Sequence, residues 1–187
     1  MRNLVYGFNV SLDGYIEDRN GSIDWSEPDE ELHRYWNDVE ATSDTHLYGR
    51  RLWEVMGGYW PTADQDMSAP EYTREYAVRW QAHEHIVVSR SLDSVPGARV
   101  IKDNLAGEVR ALKEKPGKNI SVGGASLAHS LMQDGLIDEL MVLVYPIVLG
   151  GGKRMFGDLA APQNFRLVDM RHFNGGAVML HYRKAGH

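Results

Sequence analysis

The chain has 187 residues, 43% hydrophobic and 25% charged, the size and balance of one globular domain able to bury a core of its own. Its formal net charge of -6 argues against a broad nucleic-acid or anionic-membrane surface and leaves room only for a local basic pocket. No cysteine is present, so disulfides, thiol catalysis and cysteine metal sites are excluded, and the longest apolar run, Leu140–Leu149, is too short to cross a bilayer.

Met1-Arg2-Asn3-Leu4 leads straight into an alternating segment without the basic and apolar pattern of a leader, so a cytoplasmic protein is expected. Leu4–Val10 predicts a first, mostly buried strand, and Ser11-Leu12-Asp13-Gly14 turns the chain at its end. The irregular stretch that follows, with a second turn at Asn20-Gly21, runs to Trp25 and is the kind of connection that usually serves a site. Ser26-Glu27-Pro28-Asp29 has the form of a capping box with an early proline. Leu32, Tyr35, Trp36 and Val39 then recur at steps of three and four, predicting an amphipathic helix over about Pro28–Ala41. Its first turn carries Asp29, Glu30 and Glu31, which the helix dipole favours whether or not they serve a ligand.

Thr45–Tyr48 predicts the next strand, and Gly49-Arg50-Arg51 opens a helix after it. A guanidinium beside a helix N-terminus suits a phosphate monoester through paired hydrogen bonds, although two solvated arginines would look the same in sequence. Met56-Gly57-Gly58-Tyr59-Trp60-Pro61 reads as an aromatic turn, and the polar stretch to Pro70 as a lip over a site. Trp53, Tyr59 and Trp60 fit either stacking on a flat heterocycle or ordinary packing. Glu71–Ala82 predicts a helix with Tyr72, Tyr76 and Trp80 at four-residue steps. His85–Ser91 is a buried type of strand ending in a polar turn, Arg99–Ile101 a short strand, and Leu105–Lys115 a helix that Pro116-Gly117 stops.

Asn119–Val122 is a short apolar run into Gly123-Gly124-Ala125-Ser126, after which Leu127, Leu131 and Met132 keep helical spacing up to the glycine stop at Gly135. Met141–Leu149 is a near-continuous apolar run of the sort found in strands buried on both faces, giving a strand, helix and parallel strand with a right-handed crossover. Main-chain N–H groups at Gly123–Ser126 would be free donors at the positive end of that helix, and glycine admits an anion such as a pyrophosphate to the backbone; a plain tight turn is the other reading. Gly150-Gly151-Gly152 follows the next strand, where ligands of open α/β sheets bind. Phe165–Phe173 and Val178–Arg183 alternate around Asn174-Gly175-Gly176, a β-hairpin signal. The eight histidines lack metal-ligand spacing, so no metal site is expected. The predicted fold is α/β: a single domain over residues 1–187, three layers, with a mixed, mostly parallel sheet of about eight strands ending in an antiparallel hairpin.

Ser11-Leu12-Asp13-Gly14, Gly49-Arg50, Gly123-Gly124-Ala125-Ser126-Leu127, Gly135-Leu136-Ile137-Asp138-Glu139-Leu140 and Pro146-Ile147-Val148-Leu149-Gly150-Gly151-Gly152 together resemble the dihydrofolate reductase-like superfamily, most of all the C-terminal reductase domain of the bifunctional riboflavin-biosynthesis deaminase/reductase. The resemblance covers most of the chain. It implies an NADPH-dependent reductase of a small pterin-like or pyrimidine-like heterocycle, similar to 5-amino-6-(5-phosphoribosylamino)uracil reductase, in which the cofactor carries the chemistry. Carried over residue by residue, it puts the cofactor on Gly49, Arg50, Arg51, Gly123, Gly124, Ala125, Ser126 and Leu127, and the ribose 2'-phosphate on Ser89 and Arg90. It gives catalytic roles to Asp13 and to a first-turn acid, taken as Glu30, and sets Trp25, Trp53, Tyr59 and Gly151 against the ring. Two positions depart from the pattern: Leu52 stands where folate reductases carry a threonine, and Val122 where the riboflavin type carries a glutamate. The alternatives are a genuine dihydrofolate reductase and a nucleotide-binding module without turnover. The resemblance also implies a homodimer built on Leu140–Leu149 and the C-terminal hairpin, covering apolar surface that a lone sheet edge would expose, with no nucleic-acid or membrane partner.

Overall fold

The computed structural model describes residues 1–186. In chain order its elements are β1 (Leu4–Ser11), β2 (Tyr15–Glu17), α1 (Glu30–Glu40), β3 (Ser43–Gly49), α2 (Arg50–Tyr59), α3 (Glu71–Gln81), β4 (Glu84–Val88), β5 (Arg99–Ile101), α4 (Leu105–Glu114), β6 (Asn119–Gly123), α5 (Ala125–Gln133), β7 (Glu139–Tyr145), β8 (Lys153–Arg154), β9 (Phe165–His172) and β10 (Val178–Lys184). Eight strands form one sheet in the order β5-β4-β3-β6-β1-β7-β10-β9, parallel from β5 to β7 and antiparallel across β7-β10-β9. The α/β fold with a mostly parallel eight-stranded sheet is as expected. β6 and β7 both run parallel to β1 and flank it, so the α5 crossover joins two strands with β1 between them.

The period-two alternation of the strands sends one set of side chains to each helical layer. Leu4, Tyr6, Leu47, Ile86 and Ile120 pack against Val109 and Leu112 of α4 and Leu127 and Leu131 of α5. Val5, Met141 and Leu143 meet Leu32 of α1 on the other face, where Tyr48 and Val87 also pack with Trp53 of α2 and Trp80 of α3. Each such fully buried aliphatic side chain contributes roughly 1.5–3 kcal/mol by leaving water.

Local chemistry moves several predicted boundaries. Helix α1 starts two residues late because Asp29, not Ser26, is its N-cap: Asp29 Oδ1 accepts from the Leu32 N–H at 2.9 Å, while the Ser26 hydroxyl donates back to the Ile23 carbonyl. The apolar run expected to continue to Leu149 leaves the sheet after Tyr145, since Pro146 has no N–H for the ladder. The predicted aromatic turn at Met56–Pro61 is helical through Tyr59; packing of Leu52, Trp53 and Met56 outweighs the roughly 1 kcal/mol helix penalty of each of Gly57 and Gly58. An unforeseen pair, β2 with β8, zips the loop after β1 to the glycine loop after β7, reinforced by the Met155 N–H donating to the Gly14 carbonyl.

Candidate functional site

A cavity of about 310 Å³ opens between the sheet and helices α1 and α2. Val5, Gly7 and Asn9 of β1, Ser121 and Gly123 of β6 and Met141 of β7 form its sheet side, and Trp36, Val39 and Glu40 come from α1. From α2 come Leu52 and Met56, with Trp60 just beyond, one face at four-residue steps. A Cβ on Gly7 would rest in ordinary contact 3.5 Å from the Trp36 ring and 3.4 Å from Met141 Cβ, so the bare glycine leaves that much more room on the sheet side of the cavity.

The floor of the cavity is a buried polar chain. Trp80 Nε1 donates to the Tyr48 hydroxyl at 2.9 Å, and that hydroxyl lies 2.8 Å from His46 Nδ1. With one acceptor position taken by Trp80, the buried Tyr48 O–H is left to donate to His46 Nδ1, which places the His46 proton on Nε2, assigned from the network. His46 Nε2 sits 2.7 Å from Glu40 Oε1, an electrostatic contact off the N–H axis; His83 Nδ1 lies 2.9 Å from the same oxygen, and Tyr76 donates to Oε2 at 3.3 Å. Burial pushes the Glu40 carboxyl up, but the contacts from His46 and His83 outweigh it and hold it down to about 2. Burial and the adjacent Glu40 charge push the Tyr48 and Tyr76 hydroxyls well above the ordinary phenol range, so both stay protonated donors. His85 stacks on Trp80 with ring centroids 3.9 Å apart, and burial, with the neighbouring His46, lowers it to about 4.

Glu40, His46 and His83 bring three potential metal-ligand atoms within 4.8 Å of one another, a cluster the sequence spacing did not reveal. A metal would need the His46 Nε2 lone pair, and its proton would have to move to Nδ1, leaving the Tyr48 O–H with no acceptor in a buried place. The donor set therefore fits a hydrogen-bonded carboxylate better than an ion.

Beside the cavity, the carboxyl ends of β4, β3 and β6 lie in a row. Tyr48 pairs with Gly123, and a Cβ on Gly124 would meet the Gly49 amide nitrogen at 3.6 Å. Gly49 and Gly124 are the N-caps of α2 and α5, and neither helix start receives a side-chain cap. Gly124 has φ +106°, a conformation that side chains rarely adopt, and a Cβ on Gly123 would sit 2.6 Å from Leu52 Cδ2. Two uncapped helix N-termini thus converge on a cradle kept open by glycine, the arrangement that receives phosphate groups. Arg50 ties it to the next turn, donating to Ser91 Oγ at 3.2 Å while pairing with Glu54 at 2.8 Å. Ser89 is buried beside Ser91; Arg51, Arg90 and Ser126 are exposed, and Ala125 and Leu127 are buried as the first helical layer of α5. The predicted cofactor residues are therefore neighbours in space.

The predicted catalytic and ring-contacting residues are placed elsewhere. Asp13 staples two loops: its carboxylate accepts from the Ser11 hydroxyl and from the N–H groups of Leu149 and Gly150 at 2.7–3.0 Å, and these bonds, against slight burial, hold it below the usual carboxylate range. Of the first-turn acids, Asp29 caps α1, Glu30 pairs with Arg34 on the exposed side at 2.9 Å, and Glu31 accepts from the Asn174 N–H at 3.1 Å; none lines the cavity. Trp25 packs edge-on against Tyr145, Trp53 is buried against Trp80, Tyr59 is 49% exposed, and Gly151 lies in the loop that Arg19 holds through the Gly150 carbonyl. None of these four lines the cavity either. Its carboxylate is instead Glu40, in the last turn of α1. Leu32, Trp36 and Glu40 share one inward stripe at steps of four, and an acid on an apolar stripe was the available signal.

Comparison with known proteins agrees with this fold. The chain is 34% identical to the uncharacterized protein YyaP of Bacillus subtilis (strain 168) over 99% of its own length and 96% of that protein. It superposes with a TM-score of 0.77 and 23% identity on a putative riboflavin biosynthesis protein from Shewanella sp. PV-4, covering 98% of this chain and 99% of that one. With a TM-score of 0.59 and 15% identity it also matches dihydrofolate reductase from Enterococcus faecalis complexed with NADP(H), covering 98% and 96%. The sequence pattern of the RibD C-terminal domain matches residues 2–179, and the chain belongs to that family of reductase-like domains.

Proposed function

We propose that this protein is an NADPH-dependent reductase of a small planar nitrogen heterocycle, pyrimidine-like or pterin-like. The observation that carries the proposal is adjacency: Gly123 lines the ring-sized cavity, while Gly124, the next residue, starts α5 against Gly49 in the phosphate cradle. Gly49, Arg50, Gly123, Gly124 and the start of α5 would hold the dinucleotide, with Ser89, Arg90 and Arg50 near the ribose 2'-phosphate. The nicotinamide, when bound, supplies hydride to a polarised C=N or C=O carbon of the ring. The protein's share is positioning and shielding: Trp36, Met56 and Trp60 keep water from the cavity, and Thr42, Ser43, Ser121 and Asn9 offer neutral hydrogen-bonding groups.

Leu52, standing where folate reductases carry threonine, contributes apolar wall to the cavity, which favours a pyrimidine reductase over a folate reductase. NADPH oxidation followed at 340 nm, with dihydrofolate compared against pyrimidinones and pterins, tests the reading. Turnover with a pyrimidinone or pterin ring is expected. Preference for dihydrofolate would identify a folate reductase, and NADPH binding without oxidation by any ring would leave a nucleotide-binding module. Charge-assisted contacts to phosphate contribute about 1.5–3 kcal/mol, so calorimetry should show NADPH binding at least tenfold more tightly than NADH; equal affinities would refute the placement of the 2'-phosphate.

The proposal includes a homodimer, on altered grounds. Residues Leu140–Tyr145 are covered on both sides, by β1 and β10, and expose no edge. The edge at this end of the sheet is β9, where Leu167, Val168 and Met170 are 51%, 41% and 61% exposed, the kind of apolar edge that a second copy covers.

A further inference from the structure

We infer that the ring accepted by this cavity is uncharged or protonated and carries no phosphate, which separates its substrate from the phosphoribosyl compounds of riboflavin-type reductases. The inference rests on the reductase reading above and concerns the charge of the pocket. Among the described residues, no Lys or Arg lines the cavity, and Glu40 is its one carboxylate. That carboxylate is 8% exposed and held ionised at neutral pH by His46, His83 and Tyr76. Its oxygens are already engaged by these donors, so it serves the pocket as a fixed negative field.

A phosphate monoester carries a charge of about -1.5 to -2 at pH 7 and is held in proteins by arginine, lysine or uncapped helix N-termini. Of the helix starts beside this cavity, that of α1 is already answered by the Asp29 side chain, and the uncapped starts of α2 and α5 are taken by the dinucleotide in the reading above. The cations of the neighbouring loops and of α1 are also engaged. Arg34 pairs with Glu30, Lys153 with Glu17 at 2.9 Å, Arg19 donates to the Gly150 carbonyl at 2.7 Å, and Arg154 lies over the Tyr15 ring at 5.0 Å. A phosphate entering this pocket would lose water, gain no cation and meet the field of Glu40. A neutral ring loses nothing comparable, and a protonated ring is attracted.

The test is calorimetry on NADP+-saturated protein with an aminouracil riboside and the same riboside bearing a 5'-phosphate. The riboside is expected to bind at least about tenfold more tightly. Equal or tighter binding of the phosphate ester overturns the inference, as does binding of neither compound. The outcome is separable from that of the reductase reading. Preference for the riboside without any NADPH oxidation supports the charge assignment and counts against turnover, whereas oxidation with the phosphate ester preferred keeps the reductase and discards the charge assignment. Val39→Lys, which sets a cation in the cavity wall, should narrow the preference toward the ester by about tenfold; an unchanged ratio overturns the inference.

Discussion

Replacing Glu40 by Gln removes the charge at the floor of the cavity while keeping its shape. The carboxyl is 8% exposed, and its folded value of about 2 lies 2.5 units below the ordinary 4.5. At about 1.36 kcal/mol per pH unit, the ionised form is favoured in the folded protein by roughly 3 kcal/mol. Because the folded value is the lower one, this stability is fully present above about pH 4.5 and is lost as the pH falls toward 2. Glu40→Gln should therefore lose roughly 2–4 kcal/mol at pH 7, since the amide turns a donor toward His46 or His83, and should lack the acid-dependent loss between pH 4.5 and 2. Urea unfolding followed by tryptophan fluorescence at pH 7, 5, 4 and 3, on both proteins, measures this directly. A variant within about 0.5 kcal/mol of the parent at pH 7, or one with the same slope below pH 4.5, would refute the reasoning.

A second acid limb comes from His85, which burial and the neighbouring His46 lower to about 4 and whose ring nitrogens make no well-formed hydrogen bond. The unfolded chain takes up this proton near pH 6.5 while the folded one refuses it, so His85 is neutral in effect above pH 6.5 and destabilises progressively toward pH 4. His85→Phe should raise the urea midpoint at pH 5 and flatten this limb; unchanged pH dependence would count against the assignment. Gly124→Val forces a β-branched residue to φ +106°, so a loss of roughly 1–3 kcal/mol in stability is expected together with lost NADPH binding, seen by thermal melting and calorimetry. A parent-like melt would show that the backbone relaxes freely there. For assembly, sedimentation of the parent at micromolar concentration should give twice the 21.1 kDa of one chain, and Val168→Lys with Met170→Lys should return it to one; a parent mass near 21.1 kDa would remove the dimer.

The order of strands and helices was legible in the sequence because it rests on local periodicity. The apolar run Leu4–Val10 reports a strand buried on both faces, the steps of three and four in α1 and α3 report one buried face, and the glycines bounding α5 report its ends. The pair of glycine turns was legible for a related reason: Gly49 and Gly124 mark backbone that must turn closely into a helix, and their adjacency follows once β3 and β6 pair. The pocket carboxylate was not. Acids gather in the first turn of α1 because the helix dipole favours them, and that signal drew attention to Asp29, Glu30 and Glu31, which the fold spends on a cap, a surface ion pair and the hairpin turn. Glu40 became the floor of the site only because His46 on β3 and His83 after α3 arrive beside it from elsewhere in the chain. Burial of a charge and the partners that hold it ionised are set by contacts distant in sequence, so the chain alone determined the architecture and the paired glycine turns, and tertiary packing decided which carboxylate lines the cavity.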